Sequence, residues 1–208
     1  MATGSATPNC LPSTAMSSSP PRSAGCCAPT SDQVSFKLDC DAAVPGLAVG
    51  IAPGTASYPG LAIKPLGEGW DLSGFGHIEA RIVNTGTTAV GVNVRADNAG
   101  GQEKDPWNTE RVHIPPGETA TAKVIFGYQY GLKPGFKLDA SEVVQVLFFT
   151  GKVTEAVSFR IESIRAAGPA GERPPVNPRD VRITPLDGHL LGGAVVIDFA
   201  TQIKTKDG

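Results

Sequence analysis

The sequence predicts an all-β protein, a β-sandwich of the jelly-roll type with a disordered N-terminal tail. Short segments that alternate apolar and polar residues recur from Val34 onward, as in half-buried strands. The 25 glycines and 18 prolines among the 208 residues supply frequent turns between these segments. No segment shows a helical period of three or more turns. Together these observations favour two layers of short strands over a helical or mixed fold.

Residues 1–33 are predicted to form the tail. They contain 23 Ser, Thr, Pro, Ala or Gly residues, so they bury too little apolar surface to offset the loss of chain entropy. No apolar stretch of the kind found in a signal peptide occurs here, and no leader is recognisable. Three of the four cysteines lie in this tail, which favours thiols with no structural role over a disulfide framework. The four are Cys10, Cys26, Cys27 and Cys40.

Nine strands are predicted to follow, within a domain that spans residues 34–168. The last strand is the clearest, because Val157, Phe159 and Ile161 alternate with polar residues. Val143–Phe149 is apolar on both faces apart from one glutamine, which is typical of a central strand buried between layers. In chain order the strands are Val34–Leu38, Leu47–Ile51, Leu61–Leu66, His77–Asn84, Val90–Asp97, Glu110–Ile114, Thr119–Phe126, Val143–Phe149 and Ala156–Ile164.

Turn residues occupy the connections between these strands. Asn84-Thr85-Gly86 predicts a short hairpin loop, and Pro115-Pro116-Gly117-Glu118 predicts a tight turn before a strand. A longer loop opens at Asn98. Leu138–Glu142 is interpreted as one turn of helix, with Asp139 as its cap.

Beyond residue 168 the sequence predicts a linker and the start of another domain. Residues 169–175 contain two consecutive prolines with glycine nearby, which is typical of a semi-rigid linker. Two further strands, Val181–Ile183 and Ala194–Phe199, would form a hairpin that is marginal on its own. We therefore interpret residues 176–208 as the opening of a truncated downstream domain, expected to be catalytic.

Charge and motif content argue against several function classes. The formal net charge of −2 does not supply the basic surface that nucleic acids require, and no apolar run approaches the length that spans a bilayer. The histidines His77, His113 and His189 show no metal-binding spacing, and no G-x-S-x-G motif occurs. The 20 acidic residues include no pair in a recognisable glycosidase setting. The domain is therefore predicted to be non-catalytic.

Aromatic residues make up only 6% of the chain, so their positions are informative. A sugar site needs an exposed ring beside planar side chains that form hydrogen bonds. Trp107 is predicted in a polar loop, where it either displays its indole or folds back to cap the sandwich. Strand alternation places Tyr128 and Tyr130 on one face, as a sugar platform or as a rim of the core. Trp70 directly precedes a strand and is predicted to plug the core.

Several segments, in the same order, resemble galactose-binding-like jelly-roll modules found beside β-agarases and related glycoside hydrolases. The resemblance covers residues 70–165, and more loosely residues 34–69. The segments that carry it are Gly69–Phe75, Ile78–Gly86, Val92–Asn98, Trp107-Asn108-Thr109, Ile114–Thr119, Phe126-Gly127 and Leu138–Val143.

The resemblance implies a jelly roll that binds polysaccharide or oligosaccharide in loops at one edge, often with a structural calcium ion. The implied function is a non-catalytic carbohydrate-binding module that targets a tethered glycoside hydrolase to polysaccharide, outside a bacterial cell or at its surface. The alternative is a structural spacer or docking domain of a larger extracellular enzyme, with no ligand of its own. The candidate ligand-binding residues are Arg95, Asp97, Asn98, Trp107 and Asn108, which the resemblance places near the site, and the tyrosines Tyr128 and Tyr130.

Overall fold

The computed structural model describes residues 25–40, 42–100, 107–175, 182–183, 195–198 and 202–205. The chain divides into two compact units, residues 1–172 and 173–208, and each is described by itself. In its described part the first unit consists of strands joined by turns and loops. The strands are β1 (Gly25–Pro29), β2 (Val34–Asp39), β3 (Gly46–Ile51), β4 (Gly60–Pro65), β5 (Phe75–Asn84), β6 (Val90–Asn98), β7 (Trp107–Ile114), β8 (Thr119–Ile125), β9 (Tyr128–Gln129), β10 (Lys133–Pro134), β11 (Val143–Phe149) and β12 (Val157–Pro169).

Two five-stranded antiparallel sheets form the sandwich of the first unit. Sheet A has the strand order β1-β4-β11-β6-β7, and sheet B has the order β2-β3-β12-β5-β8. The short strands β9 and β10 pair only with each other. The all-β sandwich predicted from the sequence is confirmed.

The inward faces of both sheets share one apolar core. The central strands contribute Phe148 from sheet A and Phe159 from sheet B, and neither side chain is exposed to solvent. Burial of such a side chain stabilises a fold by about 1.5–3 kcal/mol. Trp70 packs against this core and pairs through its backbone with Val143, as its predicted role requires.

All nine predicted strands are present, and two of them extend three or more residues beyond a predicted end. β7 begins at Trp107, because this residue pairs with Asp97 at the end of β6. β12 continues to Pro169, because β5 pairs with it as far as Phe75. Pairing partners that are distant in the sequence therefore extend both strands beyond the segments that alternate most clearly.

One strand lies inside the predicted tail. Gly25–Pro29 forms β1 at the edge of sheet A, where Cys27 stands opposite Ile63 of β4. Because Cys27 packs against the core, its interpretation as a tail thiol without structural role is wrong. Composition does not reveal β1, since its residues resemble those before it and the edge of β4 supplies the hydrogen bonds. Cys26 and Cys40 are free thiols, whereas Cys10 lies outside the described residues, as do residues 1–24.

The connection at Asn84 crosses between the sheets and is not a hairpin. β5 ends at Asn84 in sheet B, and β6 begins at Val90 in sheet A. The buried Nδ2 of Asn84 donates hydrogen bonds to the carbonyl oxygens of Thr88 and Ile114, both at 2.8 Å. The hairpin prediction is wrong because turn residues indicate a reversal of the chain but not the sheet that receives the next strand.

Leu138–Glu142 forms a turn and not a helical turn. Oδ1 of Asp139 accepts a hydrogen bond from the backbone nitrogen of Ser141 at 2.9 Å, which stabilises this turn and does not cap a helix as predicted. β11 begins at Val143 and leaves no room for a helix. The tight turn predicted at Pro115-Pro116-Gly117-Glu118 is confirmed by a hydrogen bond of 3.1 Å from the nitrogen of Glu118 to the oxygen of Pro115.

The described part of the second unit is one small antiparallel sheet. Its strands β13 (Arg182–Ile183), β14 (Val195–Asp198) and β15 (Gln202–Thr205) lie in this order. The first two coincide with predicted strands. The interpretation of residues 176–208 as the opening of a downstream domain stays a prediction. Within the described chain, no helix has the length and hydrophobicity needed to cross a lipid bilayer.

Candidate functional site

The outward-facing residues of sheet A form the surface that carries most of the predicted site. Side chains alternate between the two faces of a strand, so the neighbours of each core residue point away from the sandwich. Register places Trp107 beside Asp97, Thr109 beside Arg95, and Arg111 beside Asn93. We call this surface the sheet A face. Its strand positions are Ala62 and Lys64 in β4, Gln145, Leu147 and Phe149 in β11, Gly91, Asn93, Arg95 and Asp97 in β6, and Trp107, Thr109, Arg111 and His113 in β7.

A guanidinium held by a carboxylate lies in the middle of this face. Nε of Arg95 donates to Oδ1 of Asp97 at 2.7 Å, and Nη2 donates to Oδ2 at 2.8 Å. Nε2 of Gln145 donates a second hydrogen bond to Oδ2. Both members of the ion pair are mostly buried, with side chains 18% and 10% exposed. The plane of the guanidinium is therefore set by its partners and is not free to rotate.

Trp107 lies on the sheet A face and is half-buried there. The Arg95 guanidinium carbon is 5.7 Å from the centre of the indole. Two more rings contact the indole edge to face, Tyr130 at 6.3 Å and Phe136 at 5.4 Å between centroids. Both flanking side chains are exposed, at 47% and 39%. Trp107 is thus part of a group of rings on the sheet A face, and among the described residues it does not cap one end of the sandwich.

A small apolar cluster extends the face on the other side of Arg95. Ala62, Leu147 and Phe149 are buried but lie outside the main core. The ring of Tyr58, which is 70% exposed, packs edge to face against Phe149 at 6.0 Å, and the Arg95 guanidinium lies 6.0 Å from the same ring. β11 is therefore apolar on both faces, as predicted. Among the described residues, its outer side is covered by single side chains and not by another layer.

The turn that carries Tyr130 has an unusual backbone. Tyr130 and Leu132 have positive φ angles of 36° and 64°, which residues with a side chain seldom adopt. The carboxylate of Glu110 accepts the backbone N–H of Gly131 at 2.9 Å and that of Leu132 at 3.2 Å. The nitrogen of Tyr130 donates to the oxygen of Thr109 at 2.9 Å. Glu110 and β7 thereby hold the turn that brings the Tyr130 ring to Trp107.

Two predicted ligand-binding residues have internal roles. Asn108 has no exposed surface, and its side chain bonds to the oxygen of Phe136 at 2.8 Å and the nitrogen of Gly127 at 2.7 Å. Asn98 donates to the oxygens of Asp139 and Glu142 at 2.7 and 2.8 Å. Because their polar atoms are used within the protein, both asparagines position loops. Whether either asparagine also contacts a ligand stays a prediction.

Five candidate ligand-binding residues remain, and four of them lie together on or beside the sheet A face. The structure brings together Arg95, Asp97 and Trp107 on the sheet A face, with Tyr130 beside them. Tyr128 is half-buried in β9, and the positive φ of Tyr130 ends the strand alternation that placed the two rings on one face. Whether these residues contact a ligand stays a prediction.

Sequence reasoning does not identify Phe149, Tyr58 or Glu110 as parts of the site. The second apolar face of β11 was the available signal for Phe149, since a strand that is not covered by a third layer must bury that face in another way. Tyr58 joins from a loop about ninety residues away in the chain, so no local pattern connects it with Phe149.

The outer face of sheet B has a different character, because ion pairs cover it. Oε1 of Glu172 accepts from Lys123 Nζ at 2.6 Å, and its other oxygen contacts Nδ1 of the buried His77. Nε2 of His77 lies 3.0 Å from Glu79, which also bonds Arg165. The Lys123 hydrogen bond, and then that of His77, lowers the pKa of Glu172. Within the described residues, no group of three or more His, Cys, Asp or Glu side chains could hold a metal ion, so no calcium ligands are assigned.

The fold is shared with parts of two larger proteins of known structure. An exo-β-agarase matches with 17% identity and a TM-score of 0.51, over 67% of this chain and 23% of that one. A protein named PfGH50B matches with 16% identity and a TM-score of 0.52, over 66% of this chain and 22% of that one. The matched region thus amounts to less than a quarter of either protein. At these identities the likeness establishes a common fold, and the resemblance inferred from sequence is confirmed at that level.

A third similar structure is the family 11 carbohydrate-binding module from Clostridium thermocellum in complex with a β-1,3-1,4-mixed-linked tetrasaccharide. It has 15% identity and a TM-score of 0.45, over 71% of this chain and 91% of that one. The fold assignment rests on the first two structures. No protein-family model matches the chain, and no curated protein matches it.

Proposed function

We propose that the sheet A face binds carbohydrate. The observation that carries the proposal is the half-buried indole of Trp107, which lies on the sheet A face between exposed rings and a guanidinium held by Asp97. An aromatic face can stack on the apolar face of a sugar ring, and fixed planar polar groups can bond to its hydroxyls. Such a preorganised surface loses little side-chain entropy when a ligand binds.

The fold of the first unit supports this proposal. The matched agarase carries a part with the same fold within a chain about four times as long as the matched region. We propose that this unit likewise targets a tethered glycoside hydrolase to polysaccharide outside the cell, where it would raise the local concentration of substrate. The catalytic partner would follow in the parent chain.

We further propose that the sandwich has no hydrolytic activity of its own. Glycoside hydrolysis generally requires two carboxyl groups on either side of the scissile bond. Asp97 is the one acidic residue among the described strand positions of the sheet A face. Because it is held by Arg95 and Gln145, its carboxylate is engaged in positioning and is not presented to a substrate.

Affinity electrophoresis of the full chain tests the proposal, with a panel of algal and plant polysaccharides cast into native gels. We expect retardation by at least one polysaccharide, and we expect Trp107→Ala to abolish it with a small change in the melting temperature. Trp70→Ala is the matched control, because Trp70 packs against the core and should lower the melting temperature while retardation below that temperature persists. Each gel is run with calcium and with a chelator, which also tests for a calcium requirement. Absence of retardation throughout would contradict the proposal and favour a docking or spacer role.

A further inference from the structure

The two outer faces of the sandwich differ in how their charges are neutralised. On sheet B, Arg81, Lys123, Arg160 and Arg165 each have a carboxylate within 4.0 Å, whereas the exposed Lys37 forms no ion pair among the described residues. On the sheet A face only Arg95 has such a partner. The exposed cations Lys64 and Arg111 form no ion pair within the described part of the chain.

The side chain of Arg111 packs against a glycine in the neighbouring strand. Its guanidinium lies over Gly91 of the neighbouring strand, so close that a Cβ atom at Gly91 would stand 2.8 Å from Nε and 2.9 Å from Cζ. A glycine at this position lets the guanidinium lie along the backbone where any other residue would displace it. The guanidinium thereby lies along the face, and no carboxylate among the described residues pairs with it.

The two unpaired cations lie in different directions from Trp107, one along its strand and one across the sheet. Arg111 is four residues from Trp107 along β7, which corresponds to about 14 Å in an extended strand. Lys64 lies three strands away from β7, which is again about 14 Å across the sheet. A sugar chain that stacks on Trp107 can therefore reach Arg111 if it runs along β7, or Lys64 if it runs across the sheet.

We propose that the carbohydrate bound by this face is acidic, with a sulfate ester or uronate carboxylate that pairs with the Arg111 guanidinium. This inference rests on the proposed function. A guanidinium presents parallel N–H donors that match the two oxygens of a carboxylate or sulfate. The chain as a whole has a net charge of −2, so a preference for a polyanion cannot come from its overall charge and must come from a local site.

Isothermal titration of the full chain tests the inference with three probes: neutral agarose oligosaccharides, a sulfated galactan and a polyuronate. We expect tighter binding to at least one acidic probe than to the neutral one, with an affinity that falls as salt is added. The sulfated and uronate arms distinguish the two sources of negative charge. Arg111→Gln should weaken binding to the preferred acidic probe about tenfold, the scale of a lost charge-assisted hydrogen bond, and weaken agarose binding much less.

Two further variants separate a specific site from general attraction. Gly91→Ala crowds the guanidinium without removing a charge and should weaken acidic binding in the same direction as Arg111→Gln. Lys37→Gln removes an exposed cation from the opposite face and should have no effect. If Lys37→Gln weakens binding as much as Arg111→Gln, or if the neutral probe binds as tightly as the acidic ones, the inference is wrong although carbohydrate binding stands. If no probe binds, the proposed function itself fails.

Discussion

Arg95 and Asp97 are joined by two hydrogen bonds on the outer surface of β6, at 2.7 and 2.8 Å. The residues are two apart in one strand, so their side chains leave the same face of the sheet. The pair fixes the guanidinium between two rings, 5.7 Å from the centre of Trp107 and 6.0 Å from that of Phe149. Asp97 thus orients Arg95, and Arg95 in turn connects the two aromatic parts of the sheet A face.

Arg95→Lys tests the importance of this geometry, because it keeps the charge and loses the planar fork. A lysine can form a point contact with Asp97 but cannot make both hydrogen bonds and lie flat against Trp107. We expect the affinity for polysaccharide to fall about tenfold, with a decrease of only a few degrees in the melting temperature. Calorimetric titration and thermal denaturation measure the two quantities.

The matched control for this prediction is Arg81→Lys on sheet B. Arg81 bonds Glu162 at 2.7 Å and is equally part of an ion pair, but it lies on the opposite face. We expect its affinity for polysaccharide to equal that of the wild type. If Arg95→Lys and the wild type bind polysaccharide with equal affinity, the planar guanidinium of Arg95 has no part in binding.

Asn108 is predicted to stabilise the fold and to affect binding only through the loops it holds. Asn108→Ala leaves the N–H of Gly127 and the oxygen of Phe136 without their side-chain partner. An unsatisfied buried polar group costs about 1–3 kcal/mol, so the free energy of unfolding in urea should fall by at least this amount. Ser35→Ala, at an exposed position, should change it by less than about 0.5 kcal/mol. A similar small change for Asn108→Ala would contradict the assignment.

The strands were predictable because their signal is local. Alternation within Val90–Asp97 or Val157–Ile161 reflects the burial of one strand face, and any sandwich that buries this face produces the same pattern. The pairing partner of each strand, by contrast, has no local signal in the sequence. The loop after Asn84 has the composition of a hairpin, and only the three-dimensional fold shows that it passes from sheet B to sheet A. Composition likewise concealed β1, whose pairing depends entirely on the edge of β4.

The site was predictable only where one residue carries the signal. Trp107 is conspicuous because aromatic residues are scarce in polar segments of this chain. Asn98 and Asn108 have the same side chain as a sugar-binding asparagine, and burial alone distinguishes the two roles. Tyr130 reaches Trp107 only because its φ angle is positive, a conformation that a tyrosine does not suggest.

Glu172 is predicted to make stability depend on pH in the acidic range. The Lys123 hydrogen bond lowers the pKa of its carboxyl below the ordinary 4.5, and the contact with His77 acts in the same direction. A carboxyl whose pKa is lower in the folded state stabilises the fold above its unfolded pKa, and this contribution is lost as pH falls through the folded value. Glu172→Gln should therefore flatten the decrease in melting temperature below pH 4.5, measured by thermal denaturation from pH 7 to pH 3.

The control for the pH dependence is Glu155→Gln. Glu155 is exposed and makes no ion pair within the described chain, so its variant should follow the wild-type curve. Burial raises the pKa of Glu79, but hydrogen bonds from Arg165 and His77 outweigh burial and lower it, so some acid sensitivity should persist in Glu172→Gln. An unchanged curve for Glu172→Gln would show that its ion pair does not contribute.

The turn at Tyr130 depends on a carboxylate that lies beneath it. A left-handed conformation costs a residue with a side chain about 1–2 kcal/mol, and Tyr130 and Leu132 both adopt it. The hydrogen bonds from Gly131 and Leu132 to Glu110 offset this cost, since a carboxylate accepts at both oxygens. Glu110 is therefore a positioning residue for the Tyr130 ring.

Glu110→Gln is expected to release this turn, because the amide has one acceptor oxygen and turns its NH₂ group toward backbone N–H donors. The Tyr130 ring would leave Trp107, and we expect the affinity for polysaccharide to fall about threefold to tenfold, the value of an aromatic contact. A double-mutant cycle with Tyr130→Ala, measured by calorimetric titration, isolates the mechanism. If Glu110 acts through Tyr130, then Glu110→Gln has no further effect on affinity once Tyr130 is an alanine. If Glu110→Gln lowers the affinity equally with Tyr130 and with alanine at position 130, Glu110 influences binding by another route. Glu110→Asp keeps both acceptor oxygens and should recover part of the affinity that Glu110→Gln loses.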